Sequence, residues 1–403
     1  MPTGSTGDSS STVPCVLTIN GGSSSIKFAL YRWTGSPVLL LAGSIDRIGL
    51  AGTSLTSHGA GAPAATEPVP SGGHGDAARW LIQWLRKHLA GAHLGGVGHR
   101  VVHGGTRLFE HQRVTPAVLD ALREAQPLDL AHLPREIALI EAFTAGYPDI
   151  PQVACFDTAF HHDLPRVAQL LPIPRRYFEA GIRRFGFHGL SYTYLLGALG
   201  RVAGSVAANG RVILAHLGSG ASLAAVKDHK PFDTTMAFTP TAGLVMATRP
   251  GDLDPGLLVH LMRTEQLSPE QMDTAINHEY GLAGLSEGSP DMRDLDARSA
   301  TDVRAADAVD VFCYQARKWV GAYAAAMGGL DTLVFSAGIG EHAPQVRARI
   351  CDGLQFLGLY VDGQRNLHNA PVISTADSRV CVRVIPTDEE SVIATEVARV
   401  IGL

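Results

Sequence analysis

Residues 16–30 read VLTINGGSSSIKFAL. The apolar run Val16–Ile19 stops at Asn20, five small residues follow, and an apolar run resumes at Ile26 with Lys27 inside it. Two apolar runs separated by glycine and serine read as a β-hairpin. Glycine admits positive φ and lets another group approach the backbone closely. Converging backbone N–H groups, serine hydroxyls and a lysine suit an anion such as phosphate. The stretch is not a GxxxxGK[ST] loop, because that pattern is absent and a strand follows the turn where a helix would be needed.

Similar plans recur downstream. RVILAHLGSGASLAAVKDHKP, from residue 211, is again strand, small-residue turn, strand, and LDTLVFSAGIGEHAP, from 330, is a third apolar run ending in glycines. Three such turns favour phosphate-facing loops over ordinary flexible hairpins. The faint internal echo predicts two related lobes facing each other across a cleft.

Elsewhere strands and helices alternate. SPVLLLAGSI, LGGVGHRVVHGG and QVACFDTAF read as strands. DAARWLIQWLRKHLA, TPAVLDALREAQPLD, LPREIALIEAFTAGYP and DVFCYQARKWVGAYAAAMGG have helical periodicity. The polar segment 53–75 reads as a surface loop or irregular hairpin, and the alternation predicts an α/β fold with mixed sheets.

The 403 residues suffice for two or three domains. Hydrophobic content of 45% with 18% charged residues fits an ordinary globular protein, and a net charge of −5 gives no basic field, so no nucleic-acid partner is expected. Five scattered cysteines without CxxC spacing read as reduced thiols of a cytoplasmic protein, not a disulfide frame or zinc site. The seventeen histidines include no HExxH pattern. No apolar run reaches the roughly 18 residues of a membrane span. The nearest, WVGAYAAAM at 319–327, reads as a buried helix, and residues 1–14 read as a disordered leader.

INGGSSSIKF, GHRVVHGG, FDTAFH, RRFGFHGLSYTYL, HLGSGASLAAV, FTPTAGLVMATRPGDLDP, MGGLDTLVFSAGIGE and IPTDEE occur in this order between residue 16 and about 394. They resemble the acetate kinase family with its propionate and butyrate kinase relatives. The resemblance implies an actin-like, sugar-kinase-like (ribonuclease H-like) fold with two lobes and a nucleotide cleft. The N-terminal lobe would take 15–157 plus 386–403. The C-terminal lobe, 158–385, would bind nucleotide and form a homodimer. It also implies reversible phosphoryl transfer between ATP and acetate, propionate or another short-chain carboxylate, with Mg²⁺ or Mn²⁺.

Such chemistry needs no general base, because a carboxylate with a pKa near ~4 is already ionised at neutral pH. It needs positioning and positive charge around the transferred phosphoryl group. By resemblance Arg100 and Arg249 flank the acyl and phosphoryl groups, His188 bonds an equatorial oxygen in the transition state, and Asp157 orients Arg100 or the attacking group. His132 and His216 match further active-site histidines. Asn20, Ser23, Ser25 and Lys27 match the first phosphate motif. Glu389, with Asn20, matches the magnesium site, ahead of neighbouring Glu390. The nucleotide side takes Gly218, Ser219, Gly220, Asp291, Met292, Arg293, Gly338, Glu341 and His342. The acid's alkyl group would face Val102, Ala131, Phe187 and Pro240.

The chain departs from the family pattern at Ser219, His342 and Asp388, where asparagine is usual, and at Met292, where phenylalanine is. Ala131 replaces a leucine usual in acetate-preferring members, and Leu133 an asparagine. Nucleotide preference and acid preference are therefore open. Two other readings also stand: a kinase of the same fold with another phosphoryl donor, such as pyrophosphate, or with a hydroxyl acceptor, and a catalytically weak nucleotide-binding protein.

Overall fold

The computed structural model describes residues 13–22, 24–70, 72–89 and 92–403. Residues 1–12 of the expected leader, and Ser23, lie outside the described residues. The chain divides into two compact units, one of Met1–Phe156 with Glu389–Leu403 and one of Asp157–Asp388.

The first unit holds β1 (Cys15–Gly21), β2 (Ser25–Trp33), β3 (Pro37–Asp46), β4 (Ser54–Gly59), β5 (Ala65–Pro68), β6 (Leu94–Val101), β7 (Gln112–Arg113) and β8 (Gln152–Phe156). Their spatial order is β5-β4-β3-β2-β1-β6-β8-β7. The opening hairpin forms as expected: β1 pairs antiparallel with β2, Asn20 opposite Lys27. The polar segment after residue 53 is the β4–β5 hairpin. β1, β6 and β8 run parallel.

Both faces of the central strands are covered, which is why they read as nearly continuous apolar runs. Leu17, Ile19, Phe28 and Leu30 pack with Leu81, Leu85, Leu139 and Phe143 from helices His74–His88 and Leu133–Gly146. On the other face lies helix Glu389–Ile401. It explains the glycines of β6. A Cβ on Gly98 would fall 2.4 Å from Ile393 Cγ2 and 2.6 Å from Val397 Cγ2, and one on Gly96 would fall 2.8 Å from Val397 and Ile401. Only a bare backbone lets the helix lie this close. Buried Val392, Ile393 and Val397 fasten it, each contributing roughly 1.5–3 kcal/mol.

The second unit holds β9 (Val212–Leu217), β10 (Ala221–Lys227), β11 (Lys230–Thr234), β12 (Thr332–Ser336) and β13 (Cys381–Val384), in the order β11-β10-β9-β12-β13. β11, β10 and β9 are antiparallel neighbours, and β9, β12 and β13 run parallel. This repeats the order and directions of β3-β2-β1-β6-β8 in the first unit. The sequence echo is thus a duplicated five-strand sheet, the ribonuclease H-like core of the actin-like fold. Helix Gly189–Ala208 covers the second sheet through Tyr192, Leu195, Leu196 and Leu199.

Helix Val303–Met327 contains the WVGAYAAAM segment, but that segment is buried on one face only: Val320, Tyr323 and Ala324 are covered, while Ala325 and Ala326 are exposed. The stretch from 337 to 380 between β12 and β13 carries short helices, beginning with Ala337–His342 and Pro344–Cys351. Among the described residues no helix is long and apolar enough to cross a membrane. All five cysteines are free thiols, and four of them are buried.

Candidate active site

In the first unit the candidate residues collect at one end of the sheet. β1 and β6 are in parallel register with Ile19 beside His99, and Asn20 and Arg100 each lie one residue further on. Strand alternation puts Asn20, Lys27 and Arg100 on the face that carries Gly96 and Gly98, under helix Glu389–Ile401. That helix runs opposite to β6, its later residues over Gly96 and earlier ones over Gly98. Its first residue, Glu389, therefore comes to the Asn20–Arg100 end. An amide, two cations and a carboxylate at a helix N-terminus converge there. The turn itself is closed by Gly22 N–H donating to Ser25 O at 2.8 Å, and His74 Nε2 lies 3.0 Å from Gly22 O.

Beyond β6, Val102 is buried and its N–H donates to Glu136 Oε2 at 3.0 Å. Residues 129–132 form a tight turn into helix Leu133–Gly146. Buried Asp129 accepts from the His132 N–H at 3.0 Å and lies 2.9 Å from His132 Nδ1. Burial alone would raise the Asp129 carboxyl, but His132 holds it below its ordinary value. Ala131 sits inside this turn and is half-buried.

In the second unit the centre is the turn between β9 and β10. His216 and Ser222 are cross-strand partners. The rings of His188 and His216 stack, centroids 4.2 Å apart and 21° between planes. His188 Nδ1 lies 2.8 Å from Ser222 Oγ, and His216 Nδ1 2.8 Å from Ser191 Oγ. Tyr192 OH and Thr387 Oγ1 extend the two chains of hydrogen bonds. His188 itself has left-handed backbone, φ 61°, and precedes helix Gly189–Ala208. The next residue, Gly189, donates its N–H to Asp157 O at 2.9 Å, which ties buried Asp157 to the His188 corner.

Arg249 reaches the same turn. A Cβ on Gly220 would be 2.9 Å from an Arg249 NH2 and 3.3 Å from His188 Nε2. Arg249 NH1 donates to Pro240 O at 2.7 Å. Its loop is closed by Asp252, whose Oδ1 accepts from Gly243 N–H at 2.8 Å and whose N–H donates to Gly243 O at 3.1 Å. Phe187, adjacent to His188, is fully buried.

Beside this turn is a pocket of about 550 Å³, within the range of small-ligand sites. Of the sequence-predicted nucleotide residues, Gly218, Ser219, Asp291, Met292, Arg293, Gly338 and His342 line it. Asp291 caps helix Met292–Arg298 and pairs with Arg293, NH2 to Oδ2 2.5 Å. Glu341 does not line the pocket. Its Oε1 accepts from Ala337 N–H at 2.8 Å and Thr387 N–H at 3.3 Å, bracing the turn from behind. Sequence reasoning missed Ala247, Leu282, Pro290, Ile339 and Gln345, which also line the pocket. Ile339 and Gln345 flank motif residues that were recognised; Leu282 and Pro290 carry no local signal.

The sites sit where the parallel strands of each sheet end, as open α/β sheets place ligands. The family model of the acetokinase family matches residues 15–395. An acetate kinase of Rhodopseudomonas palustris (strain ATCC BAA-98 / CGA009) is 43% identical over 390 residues, covering 95% of this chain and 98% of that protein. A propionate kinase of Citrobacter rodentium (strain ICC168) is 42% identical over 390 residues, 96% of each. The crystal structure of Porphyromonas gingivalis acetate kinase superposes with a TM-score of 0.86 at 34% identity, covering 96% of this chain and 100% of that one. The chain belongs to the acetokinase family.

Proposed function

We infer that this protein is a short-chain carboxylate kinase that moves the γ-phosphoryl group of ATP reversibly to acetate or propionate. A carboxylate oxygen forms the new bond to phosphorus as the bond to the bridging oxygen breaks, and ADP leaves. The observation that carries the reading is the convergence of His188 Nε2 and an Arg249 NH2 on Gly220, beside a nucleotide-sized pocket. Two fixed donors there suit the equatorial oxygens of a phosphoryl group in flight, where preorganised donors act most strongly.

By resemblance Arg100 is assigned to the acid, and its guanidinium fork suits a planar oxyanion. Lys27 and Asn20 serve the phosphates. By resemblance to the family, Val102, Ala131, Phe187 and Pro240 are assigned to the alkyl group. Asp157 orients rather than reacts, because the acceptor arrives ionised.

For magnesium, Asn20 and Glu389 offer hard oxygen donors at one sheet end. No group of three or more His, Cys, Asp or Glu residues that could hold an ion occurs among the described residues. That donor set fits Mg²⁺, which keeps most of its water and takes one or two protein ligands plus phosphate oxygens. Bound there, the ion would neutralise phosphate charge.

The protein is assigned to the cytoplasm, where its free thiols stay reduced. It is assigned a homodimeric state through the second unit. Helix Pro255–Thr264, PGLLVHLMRT, has no buried residue, and Leu257 and Val259 are 41% and 47% exposed. Light scattering checks this: the Leu257→Glu/Val259→Glu protein should run as a monomer. An unchanged dimer would move the interface elsewhere, and a monomeric wild type would reject it.

Trapping of acyl phosphate as hydroxamate tests the activity, with ATP against acetate, propionate and butyrate, and pyrophosphate or glycerol as alternative donor and acceptor. Hydroxamate should form from ATP with acetate or propionate. Its absence with every acid, alongside glycerol phosphorylation, would replace the carboxylate reading.

A further inference from the structure

Arg347 lies in helix Pro344–Cys351, in the unremarkable stretch VRARIC. Its neighbour Arg349 is half-buried and pairs with Asp310. Arg347 itself has no solvent exposure. A buried guanidinium normally faces a carboxylate. Here every acceptor is neutral. Nε donates to Asn366 Oδ1 at 2.8 Å, NH1 to Gly340 O and Glu341 O at 2.9 Å each, and NH2 to Asn366 O at 2.7 Å and Asn369 Oδ1 at 2.6 Å. All five N–H groups of the fork are thus used.

Two of those acceptors are carbonyls in the last turn of helix Ala337–His342, which puts Gly338, Ile339 and His342 on the nucleotide pocket. Six residues cannot hold a helix by themselves. This one begins at Ala337 in left-handed backbone, φ 62°, where Glu341 clamps the N–H. Arg347 holds its far end through Gly340 O and Glu341 O. The remaining acceptors belong to residues 366–369, so the fork ties the pocket segment to a separate part of the unit. Asn366 reinforces the tie by donating Nδ2 to Pro344 O at 2.7 Å. Burial lowers Arg347 only to about 10, so its charge persists at neutral pH and meets the negative ends of short helices.

We propose that Arg347 is a positioning residue for the nucleotide, setting the height of the Gly338–His342 wall by binding its terminal carbonyls and the 366–369 segment together. The inference rests on the pocket being the nucleotide site. A lysine at 347 keeps the charge but has three donors, leaving at least two carbonyl or amide oxygens without a bond. The wall would then be free to shift, while the residues assigned to the acid are not connected to the fork.

Steady-state kinetics of Arg347→Lys and Asn369→Gly test this, with ADP affinity measured directly by titration calorimetry. Glycine at 369 tolerates the backbone there, φ 50°, and removes one acceptor. Arg347→Lys should raise the ATP KM and the ADP Kd about tenfold, with the acid KM within twofold. Asn369→Gly should move the same two constants in the same direction by about two- to threefold. If Arg347→Lys does not fold, Asn369→Gly decides alone. The proposal is overturned by unchanged nucleotide constants in a folded variant, or by acid and nucleotide KM rising together. A wild-type protein without ADP affinity would instead reject the pocket assignment, before any variant is read.

Discussion

His188 and His216 stack face to face, 4.2 Å apart, each with its Nδ1 held by a serine from a different element. The pairing of ring and hydroxyl fixes both imidazoles and leaves both Nε2 atoms directed at the glycine turn. A Cβ on Gly220 would lie 3.3 Å from His188 Nε2, and one on Gly218 3.8 Å from His216 Nε2. If His188 bonds the phosphoryl group mainly in the transition state, His188→Ala should lower kcat by about 10²-fold and leave the acid KM nearly unchanged. Ser222→Ala, which frees the ring, should lose about tenfold in kcat. An effect of His188→Ala confined to KM would make it a binding or packing residue.

Gly220 should be needed for space rather than for backbone conformation. Its φ is not in the left-handed region, yet a methyl group there would meet Arg249 at 2.9 Å. Gly220→Ala should therefore keep its Tm within a few degrees while kcat falls at least about tenfold, because the guanidinium must move. Full activity would show that Arg249 can yield without loss.

Arg100 and Arg249 should each be worth about 10²–10³ in kcat, the usual loss on removing one preorganised donor. Arg100→Ala and Arg249→Ala should remain folded, since both side chains are only half-buried. Circular dichroism and turnover measured together check this. Near wild-type turnover in either protein removes that arginine from the mechanism.

Buried histidines make stability fall in mild acid. Burial pushes His99, His103 and His161 down to about 4. An unfolded histidine titrates near ~6.5. As pH falls below that value the unfolded chain takes up protons that the folded chain refuses until about 4. The stabilisation is therefore complete above ~6.5 and lost on the way down to 4, by about 1.4 kcal/mol per pH unit for each histidine. Urea midpoints at pH 7.0 and 5.5 should differ clearly, the acid one lower. Equal midpoints would mean that the three sites open to water.

The nucleotide pocket should discriminate purines weakly. Its lining includes Ala247, Leu282, Met292, Ile339 and Ala343, which hold a flat base by dispersion and do not read its edge. Ser219, Met292 and His342 are also the positions that depart from the family pattern. The kcat/KM values for ATP and GTP should lie within about 10²-fold, or 2.7 kcal/mol. A larger preference for ATP would assign edge reading to a polar side chain of the lining, such as Ser219, Asp296, His342 or Gln345.

What was legible in the sequence was what depends on local pattern. Apolar runs on either side of the small-residue turns after Asn20 and after Leu217 announced two hairpins, and their glycines announced loops that something approaches. The duplication was legible only as an echo, because what repeats is the order of strands, fixed by pairing between distant segments. Arg347 was invisible for the same reason: VRARIC has the look of a solvated helix, and its partners Asn366 and Asn369 are 19 and 22 residues away. Glu341 belonged to a recognised motif, yet its carboxylate turns to Ala337 and Thr387, a choice set by the strained left-handed backbone at 337.

Acid preference should turn on residue 131. Asp129 and His132 close the turn that holds Ala131. Leu133, the next departure from the family pattern, is fully buried at the start of helix Leu133–Gly146. If, as the resemblance implies, alanine stands at 131 in place of a leucine, three carbons are missing from the wall assigned to the alkyl group. A buried methylene is worth roughly 0.8 kcal/mol, and pockets discriminate by about 1–3 kcal/mol per methylene. Propionate should therefore be used at least as well as acetate, and several-fold better if the extra methylene is fully enclosed. Ala131→Leu should shift the ratio of kcat/KM toward acetate by about tenfold, acting on propionate and more strongly on butyrate. The measurement is kcat/KM for the three acids in both proteins. A tenfold acetate preference in the wild type, or a ratio untouched by leucine, would show that another side chain sets the depth of the pocket.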